Sequence, residues 1–357
     1  MKAFAILGKG KTGWVDIKPP VPGPLDVILR PTAICPCTSD IHIVDALPPE
    51  YAHIIGRPLG HEGIGVVEET GSEVKKFKVG DHVAGLGMFL DFRSDEAQAG
   101  LAQYDPFGSY PDRLYRYGGT FAEHIHVYDA DANLALIPDN VNPIQAAMVT
   151  DMMATSFTQA EQANIQYGDS VAVLGIGPVG LMGICAARLK GAGRVLAIGS
   201  RRACFEKAEL YGANDLINYK NGDLAQQVLE ANHGPVDVVL VCGGTSSAIG
   251  DALKMVKFGG TISNVALFWG EDNTILPNQD WGYGCVQFKT ITGTQVKGGS
   301  YFVKKLLNLI SYGRVDPEPL ASHIFHGFDK IEESYKTMSV KTPDLIKPVV
   351  LMEGLKL

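Results

Sequence analysis

What the sequence withholds narrows it first. Its 357 residues carry six cysteines, Cys35, Cys37, Cys185, Cys204, Cys242 and Cys285, and no two have the CxxC spacing of a thiolate clip. A structural zinc site of that kind is therefore excluded. So sparse and irregular a set also does not read as a disulfide framework in a chain long enough to bury its own core. No apolar run approaches the roughly 20 residues needed to cross a bilayer, and the opening Met1-Lys2-Ala3-Phe4-Ala5-Ile6-Leu7-Gly8 breaks too early for a secretory leader. Nor is there a long basic block, and a net charge of −8 offers no electrostatic footprint for a phosphate backbone. These absences point to a cytoplasmic protein with reduced thiols, whose partners are small molecules, with no nucleic acid and no membrane among them.

What is present has two textures. A hydrophobic content of 46% over this length suggests two buried cores. The first 150 residues hold short β-type runs between glycine and proline breakers, such as Gly63-Ile64-Gly65-Val66-Val67 and His82-Val83-Ala84-Gly85, the pattern of an irregular, mostly β domain. From Val171 onward, apolar strands alternate with helix-length segments, with strands expected near 171–175, 194–199, 215–218, 236–242, 259–265 and 289–293. That alternation reads as α/β, a Rossmann-type doubly wound parallel sheet covered by helices. A helix is expected over Tyr301–Ile310, and a last strand around Val349-Val350-Leu351 that returns to the first domain. The boundaries expected are 1–152, 153–295 and 296–357, the third segment rejoining the first. Residues 86–118 lack clear periodicity and are expected as a surface excursion or subunit contact.

Val171-Ala172-Val173-Leu174-Gly175-Ile176-Gly177-Pro178-Val179-Gly180 places a GxGxxG after an apolar strand and at the start of a helix. Gly175 permits the tight turn, Gly177 lets backbone approach a pyrophosphate, and Gly180 lets helix and strand pack closely. The helix N-terminus, opening at Pro178 and Val179, then offers free amide donors to the diphosphate. One further absence matters here. Sites for NAD usually end the second strand on a carboxylate that grips the ribose hydroxyls, whereas Arg194-Val195-Leu196-Ala197-Ile198 runs into Gly199-Ser200-Arg201-Arg202. A hydroxyl and a guanidinium suit a 2′-phosphate, so NADP(H) is the coenzyme expected; the plainer reading of the two arginines is a solvated helix start.

In the first domain, Cys37-Thr38-Ser39-Asp40-Ile41-His42, Gly60-His61-Glu62 and, much later, Thr150-Asp151-Met152 contain a thiolate, an imidazole and carboxylates. Such a set can give Zn²⁺ three mixed ligands and leave a fourth position open for catalysis. As isolated residues the three are more often a buried thiol, a surface histidine and a helix cap, and spacing alone does not decide for a metal.

These residues resemble the zinc-dependent medium-chain alcohol dehydrogenases nearly end to end. Gly60-His61-Glu62, Val79-Gly80-Asp81-His82-Val83, Gly119-Thr120-Phe121-Ala122-Glu123 and the Gly175–Gly180 motif occur in that family's order. Pro36-Cys37-Thr38-Ser39-Asp40-Ile41-His42, Gly199-Ser200-Arg201, Ile217-Asn218-Tyr219-Lys220-Asn221-Gly222 and Asp344-Leu345-Ile346-Lys347-Pro348-Val349-Val350 look like its microbial NADP-dependent secondary alcohol dehydrogenases. The resemblance implies a GroES-like catalytic domain beside the Rossmann domain, one catalytic Zn²⁺ held by Cys37, His61 and Asp151, and no structural zinc. It implies Glu62 as an exchangeable ligand or neighbouring carboxylate, and Ser200, Arg201 and Tyr219 around the 2′-phosphate. It further implies a homotetramer acting on a small ketone or secondary alcohol.

For the alcohol proton, Ser39 and His42, beside the Cys37 ligand, form a plausible hydroxyl-to-imidazole relay; a capping serine and a surface histidine are the alternatives. Cys35 stands where the resembled group has a small apolar residue and reads as a buried thiol without a metal role. Residues 44–58 look lengthened, and Leu114, Tyr115 and Tyr117 stand near where that group has a pocket tryptophan. Rival readings are a zinc-free quinone reductase of the same fold, a zinc-dependent polyol or primary-alcohol dehydrogenase, and a noncatalytic NADP-binding protein. The complete Cys37, His61 and Asp151 set argues against the first and last.

Overall fold

Six segments of the second half form one parallel sheet, its central strands apolar. Their spatial order is Asp215–Asn218, Arg194–Gly199, Ser170–Leu174, Val236–Val241, Val256–Asn264 and Thr290–Gly293. This is the 3-2-1-4-5-6 order of a doubly wound sheet, in which the strand order reverses beside Ser170–Leu174. The computed structural model describes residues 1–87, 93–99, 101, 104, 119–245, 247–268 and 288–352. By its contacts the chain divides into Met1–Ala154 with Val296–Leu357, and Thr155–Gln295.

Strands covered by helices on both faces must be apolar on both faces, which is why they read as continuous runs. Val171, Ala172 and Val173 are wholly buried, as are Val195, Leu196 and Ala197. The core joins Leu174, Ile198, Val239 and Ile262 to Leu253 and Met255 of the helix Ala248–Met255 and its exit. One strand starts earlier than its glycines suggest, at Val256. The register slips between Val236 and Val238, and the Gly259-Gly260 pair bulges against the neighbouring backbone, with a Cβ on Gly260 only 2.7 Å from the Asp237 carbonyl.

The other unit is built around the strand Val27–Cys35. It pairs antiparallel with Glu62–Thr70, with Ile125–Val127 and with Lys347–Leu351, so segments far apart in sequence meet on its flanks. Its register with Glu62–Thr70 puts Cys35 opposite Glu62. The sheet continues to His82–Gly85 and Leu134–Leu136 on one side, and on the other to Ala321–His326, which runs parallel to Lys347–Leu351. Val27, Leu29, Val67, Val83 and Ile125 form its core. The helix foreseen at 301–310 spans Ser300–Ser311 and buries Phe302, Val303, Leu306, Leu307 and Ile310, the spacing of one apolar face.

The described cysteines are all free thiols. Cys285 lies outside the described residues, as do Leu114, Tyr115, Tyr117 and most of 86–118. Residues 44–58 contain the end of the helix Thr38–Ala46 and the 3₁₀ turn Pro49–Ile54. No described helix is long and apolar enough to cross a membrane.

Candidate metal centre and dinucleotide turn

Three segments of the sheet unit bring side chains to one point. Cys37 stands at the N-cap of the helix Thr38–Ala46, just after the strand Val27–Cys35. His61 precedes the strand Glu62–Thr70, entered through Gly60 at φ +82°, where a Cβ would strike the Phe121 ring at 2.2 Å. Asp151 sits in the π-helical turn Val149–Met153, which follows the helix Pro143–Met148. Such widened turns re-aim a side chain that a regular helix would rotate away. This one is pinned from both sides: the Thr150 hydroxyl donates to the Ala147 carbonyl at 2.7 Å, and the Gly87 amide donates to the Thr150 carbonyl at 2.9 Å.

Cys37 Sγ, His61 Nε2 and one carboxylate oxygen each of Glu62 and Asp151 all lie within 4.8 Å of one another. Cys37 Sγ is 3.7 Å from Asp151 Oδ2, and His61 Nε2 is 3.5 Å from the same oxygen. Zinc bonds of ~2.0–2.3 Å in a tetrahedron place donors roughly 3.3–3.8 Å apart, so this trio has the spacing and the sulfur, nitrogen and oxygen mixture of a three-ligand catalytic zinc site. The residues present fit the ion.

The electrostatics agree. Burial alone would raise the Cys37 thiol, but the Lys347 ammonium and His61 outweigh it and hold the thiol below its ordinary value. Burial opposes charge on His61, yet Asp40 and Asp151 keep it well above the usual imidazole range. Acidic donors crowded this closely call for a cation among them.

Two residues essential to this geometry were not singled out by sequence. Asp40, wholly buried, accepts from the Cys37 amide at 2.9 Å and, through Oδ1, meets His61 Nδ1 at 2.9 Å. With Nδ1–H donating to Asp40, Nε2 faces the donor cluster and presents its lone pair there once its own proton has left, the carboxylate–histidine arrangement that orients a metal ligand. Its signal was available as a Cys-x-x-Asp pattern at a helix start, a cap spacing. Lys347 is 1% exposed, and its Nζ lies 2.7 Å from both oxygens of Glu62, which is 0% exposed. Burial would strip the ammonium of its proton, but the adjacent Glu62 and the thiols hold it on and push Lys347 above the ordinary lysine range. The signal was a lone lysine opening a strand, Lys347–Leu351, that is buried throughout.

The remaining residues fall around this cluster. Glu62 Oε1 is 3.8 Å from His61 Nε2, so the carboxylate, held through both oxygens by Lys347, stands beside the trio. Ser39 Oγ is 3.5 Å from His61 Nε2. His42 follows one turn along the same helix, partly buried, with its imidazole lowered by burial and by Lys341. Cys35 ends its strand with no exposure, and burial raises its thiol.

In the other unit the glycine turn has the expected form. Gly175 has φ +93°, and a Cβ there would lie 2.7 Å from the Gly243 amide nitrogen. A Cβ on Gly180 would lie 2.2 Å from the Gly175 carbonyl oxygen, while one on Gly177 would meet nothing within 4 Å. Gly175 and Gly180 thus serve internal packing, and Gly177 opens onto space. Gly177 caps the helix Pro178–Leu189 without a side-chain bond, Pro178 takes its first position and Val179 follows, leaving amide donors for an anion. At the end of the neighbouring strand, Ser200 Oγ donates to Tyr219 Oη at 3.0 Å, and Arg201 caps the helix Arg202–Leu210. Arg202 is spent elsewhere, in an exposed pair with Glu206. A hydroxyl pair beside an arginine, with no carboxylate on 199, fits a phosphorylated ribose.

Together these features define a class, the two-domain zinc dehydrogenases. A model of the alcohol dehydrogenase GroES-like domain matches residues 23–139, and one of the zinc-binding dehydrogenase domain matches 178–311. The chain is 45% identical over 362 residues to the NADP-dependent isopropanol dehydrogenase of Thermoanaerobacter brockii, covering 99% of this chain and 100% of that one. It is likewise 45% identical over 361 residues to the NADP-dependent isopropanol dehydrogenase of Clostridium beijerinckii, with 99% and 100% covered. Alcohol dehydrogenase TADH from Thermus sp. ATN1 superposes with a TM-score of 0.85 at 27% identity, covering 99% of this chain and 100% of that one. The chain belongs to the zinc-dependent medium-chain alcohol dehydrogenase family, in its branch of microbial NADP-dependent secondary alcohol dehydrogenases.

Proposed function

We propose that this protein interconverts small secondary alcohols and ketones, and also reduces aldehydes, using NADP(H) and one catalytic zinc ion. The observation that carries this reading is the convergence of Cys37 Sγ, His61 Nε2 and Asp151 Oδ2, with sulfur and nitrogen each within 3.7 Å of the carboxylate. When bound, zinc supplies Lewis acidity to the substrate oxygen, and NADP(H) supplies or accepts the hydride.

The chain's own residues do the rest. Cys37, His61 and Asp151 hold the metal, and Asp40 fixes the His61 ring so that Nε2 faces it. Glu62, tethered by Lys347, balances charge and stands close enough to enter or leave coordination. Ser39 takes the alcohol proton at Oγ and passes it toward solvent through His42, its neighbour one turn on. Gly175, Gly177 and Gly180 shape the turn under the diphosphate, Pro178 and Val179 open the helix that receives it, and Ser200, Arg201 and Tyr219 hold the 2′-phosphate. Residues 1–152 with 296–357 are the catalytic portion and 153–295 the coenzyme-binding portion. Resemblance to the branch supports a homotetramer, and the scarcity of cysteine supports a cytoplasmic setting.

Metal analysis of the purified protein, with steady-state kinetics on acetone and 2-butanone using NADPH against NADH, tests this. The expected result is stoichiometric zinc and NADPH-dependent reduction abolished by a chelator. Protein without metal that consumes no NADPH with either ketone would defeat the reading.

A further inference from the structure

The coenzyme preference has a steric component as well as an electrostatic one. Gly199 ends the strand Arg194–Gly199, where an NAD site would carry its carboxylate. It is not among the glycines with positive φ, so its backbone would accept a side chain. What opposes one is a neighbour. A Cβ on Gly199 would lie 2.4 Å from Cγ1 and 2.7 Å from Cδ1 of Ile176, closer than packed carbon atoms approach.

Ile176 is the residue between the first two glycines of the turn, and it is 3% exposed. It cannot easily step aside. As a β-branched residue it has few χ1 options, and it is held between Gly175 at φ +93° and Gly177, which caps the next helix. Its side chain therefore fills the volume that a residue-199 side chain would need on its way to the ribose. The turn that receives the diphosphate and the strand end that reads the ribose are thus coupled through one side chain.

We propose that Ile176 is a specificity-determining residue that keeps position 199 bare, so that no carboxylate can reach the ribose hydroxyls and the Ser200, Arg201 and Tyr219 group is left to a 2′-phosphate. This rests on the NADP(H) reading above. It predicts that a carboxylate placed at 199 acts as an NAD-binding group only when Ile176 is shortened.

The test uses the zinc-loaded full chain, with dissociation constants for NADP⁺ and NAD⁺ measured by calorimetry and melting temperatures recorded alongside. Gly199→Ala, which adds only the Cβ, is expected to lower the melting temperature by about 5 °C, and Ile176→Ala in the same chain to restore most of it. Gly199→Asp alone is expected to weaken NADP⁺ about tenfold or more through charge repulsion while tightening NAD⁺ by no more than about twofold. Gly199→Asp with Ile176→Ala is expected to tighten NAD⁺ about tenfold over the unsubstituted protein.

The inference is overturned if Gly199→Asp alone binds NAD⁺ as tightly as the double variant, or if Ile176→Ala fails to relieve Gly199→Ala. Failure of the underlying reading looks different: the unsubstituted protein would then bind NAD⁺ as tightly as NADP⁺.

Discussion

The two sites are made of different materials. The metal centre is a side-chain construction: Cys37, Asp40, His61, Glu62, Asp151 and Lys347 come from distant parts of the chain, and most are charged groups held out of water by one another. The dinucleotide turn is a backbone construction, in which contiguous residues shape a surface by lacking side chains at Gly175 and Gly180 and by ending on a helix N-terminus at Gly177. A site of the first kind should fail sharply when one charge is removed. The second should tolerate charge changes and fail when volume is added.

The largest effect is expected from the ligands. Cys37→Ser or Asp151→Asn should lower turnover by about a thousandfold or more, since several kcal/mol of transition-state stabilisation depend on the metal. NADP⁺ affinity measured by calorimetry should be unchanged. Parallel loss of coenzyme binding would break the separation between the two sites.

Next comes Lys347→Met, which leaves Glu62 buried without its counter-charge. Removing one member of a buried pair costs on the order of 3–5 kcal/mol, to be read by chemical denaturation. Adding Glu62→Gln should recover most of it, and no recovery would mean that the lysine acts by packing alone.

Asp40→Asn keeps the shape but weakens the bond to His61 Nδ1. Loss of an outer partner of this kind costs about 10–100-fold in metal affinity, measurable by competition with a chromogenic chelator. An affinity equal to the parent's would show that the ring is held by packing.

The smallest effect belongs to the coenzyme side. Arg201→Ala should raise the NADP⁺ dissociation constant about tenfold, the value of one charge-assisted bond, and leave NAD⁺ within about twofold. Equal weakening of both would assign Arg201 to the helix cap rather than to the phosphate.

The same contrast decides what could be read from the chain. The doubly wound sheet was legible because each buried strand is a local apolar run, as in Val171-Ala172-Val173-Leu174, and the glycine turn because its residues are consecutive. The start at Val256 was not, because a bulge depends on the partner strand, whereas the Gly259-Gly260 pair reads locally as a break in the run. At the metal centre, Cys37 and His61 stood out by residue type, whereas Asp40 looked like an ordinary helix cap and Lys347 like part of a tail. Their roles exist only once the sheet register sets Cys35 opposite Glu62 and brings Lys347–Leu351 alongside. The π-helical turn that aims Asp151 has no sequence signature of its own.

The position of Lys347 has a consequence during synthesis. Glu62 leaves the ribosome 285 residues before its partner, which at 5–20 residues per second is a wait of roughly 15–60 s. Throughout that interval the nascent sheet lacks both Lys347–Leu351 and Ala321–His326, and its half-finished interior holds an acid with no counter-ion. Residues 155–295, by contrast, emerge as one uninterrupted stretch and can close around their own core in the meantime. The metal-binding half, although begun first, is therefore the last to be completed.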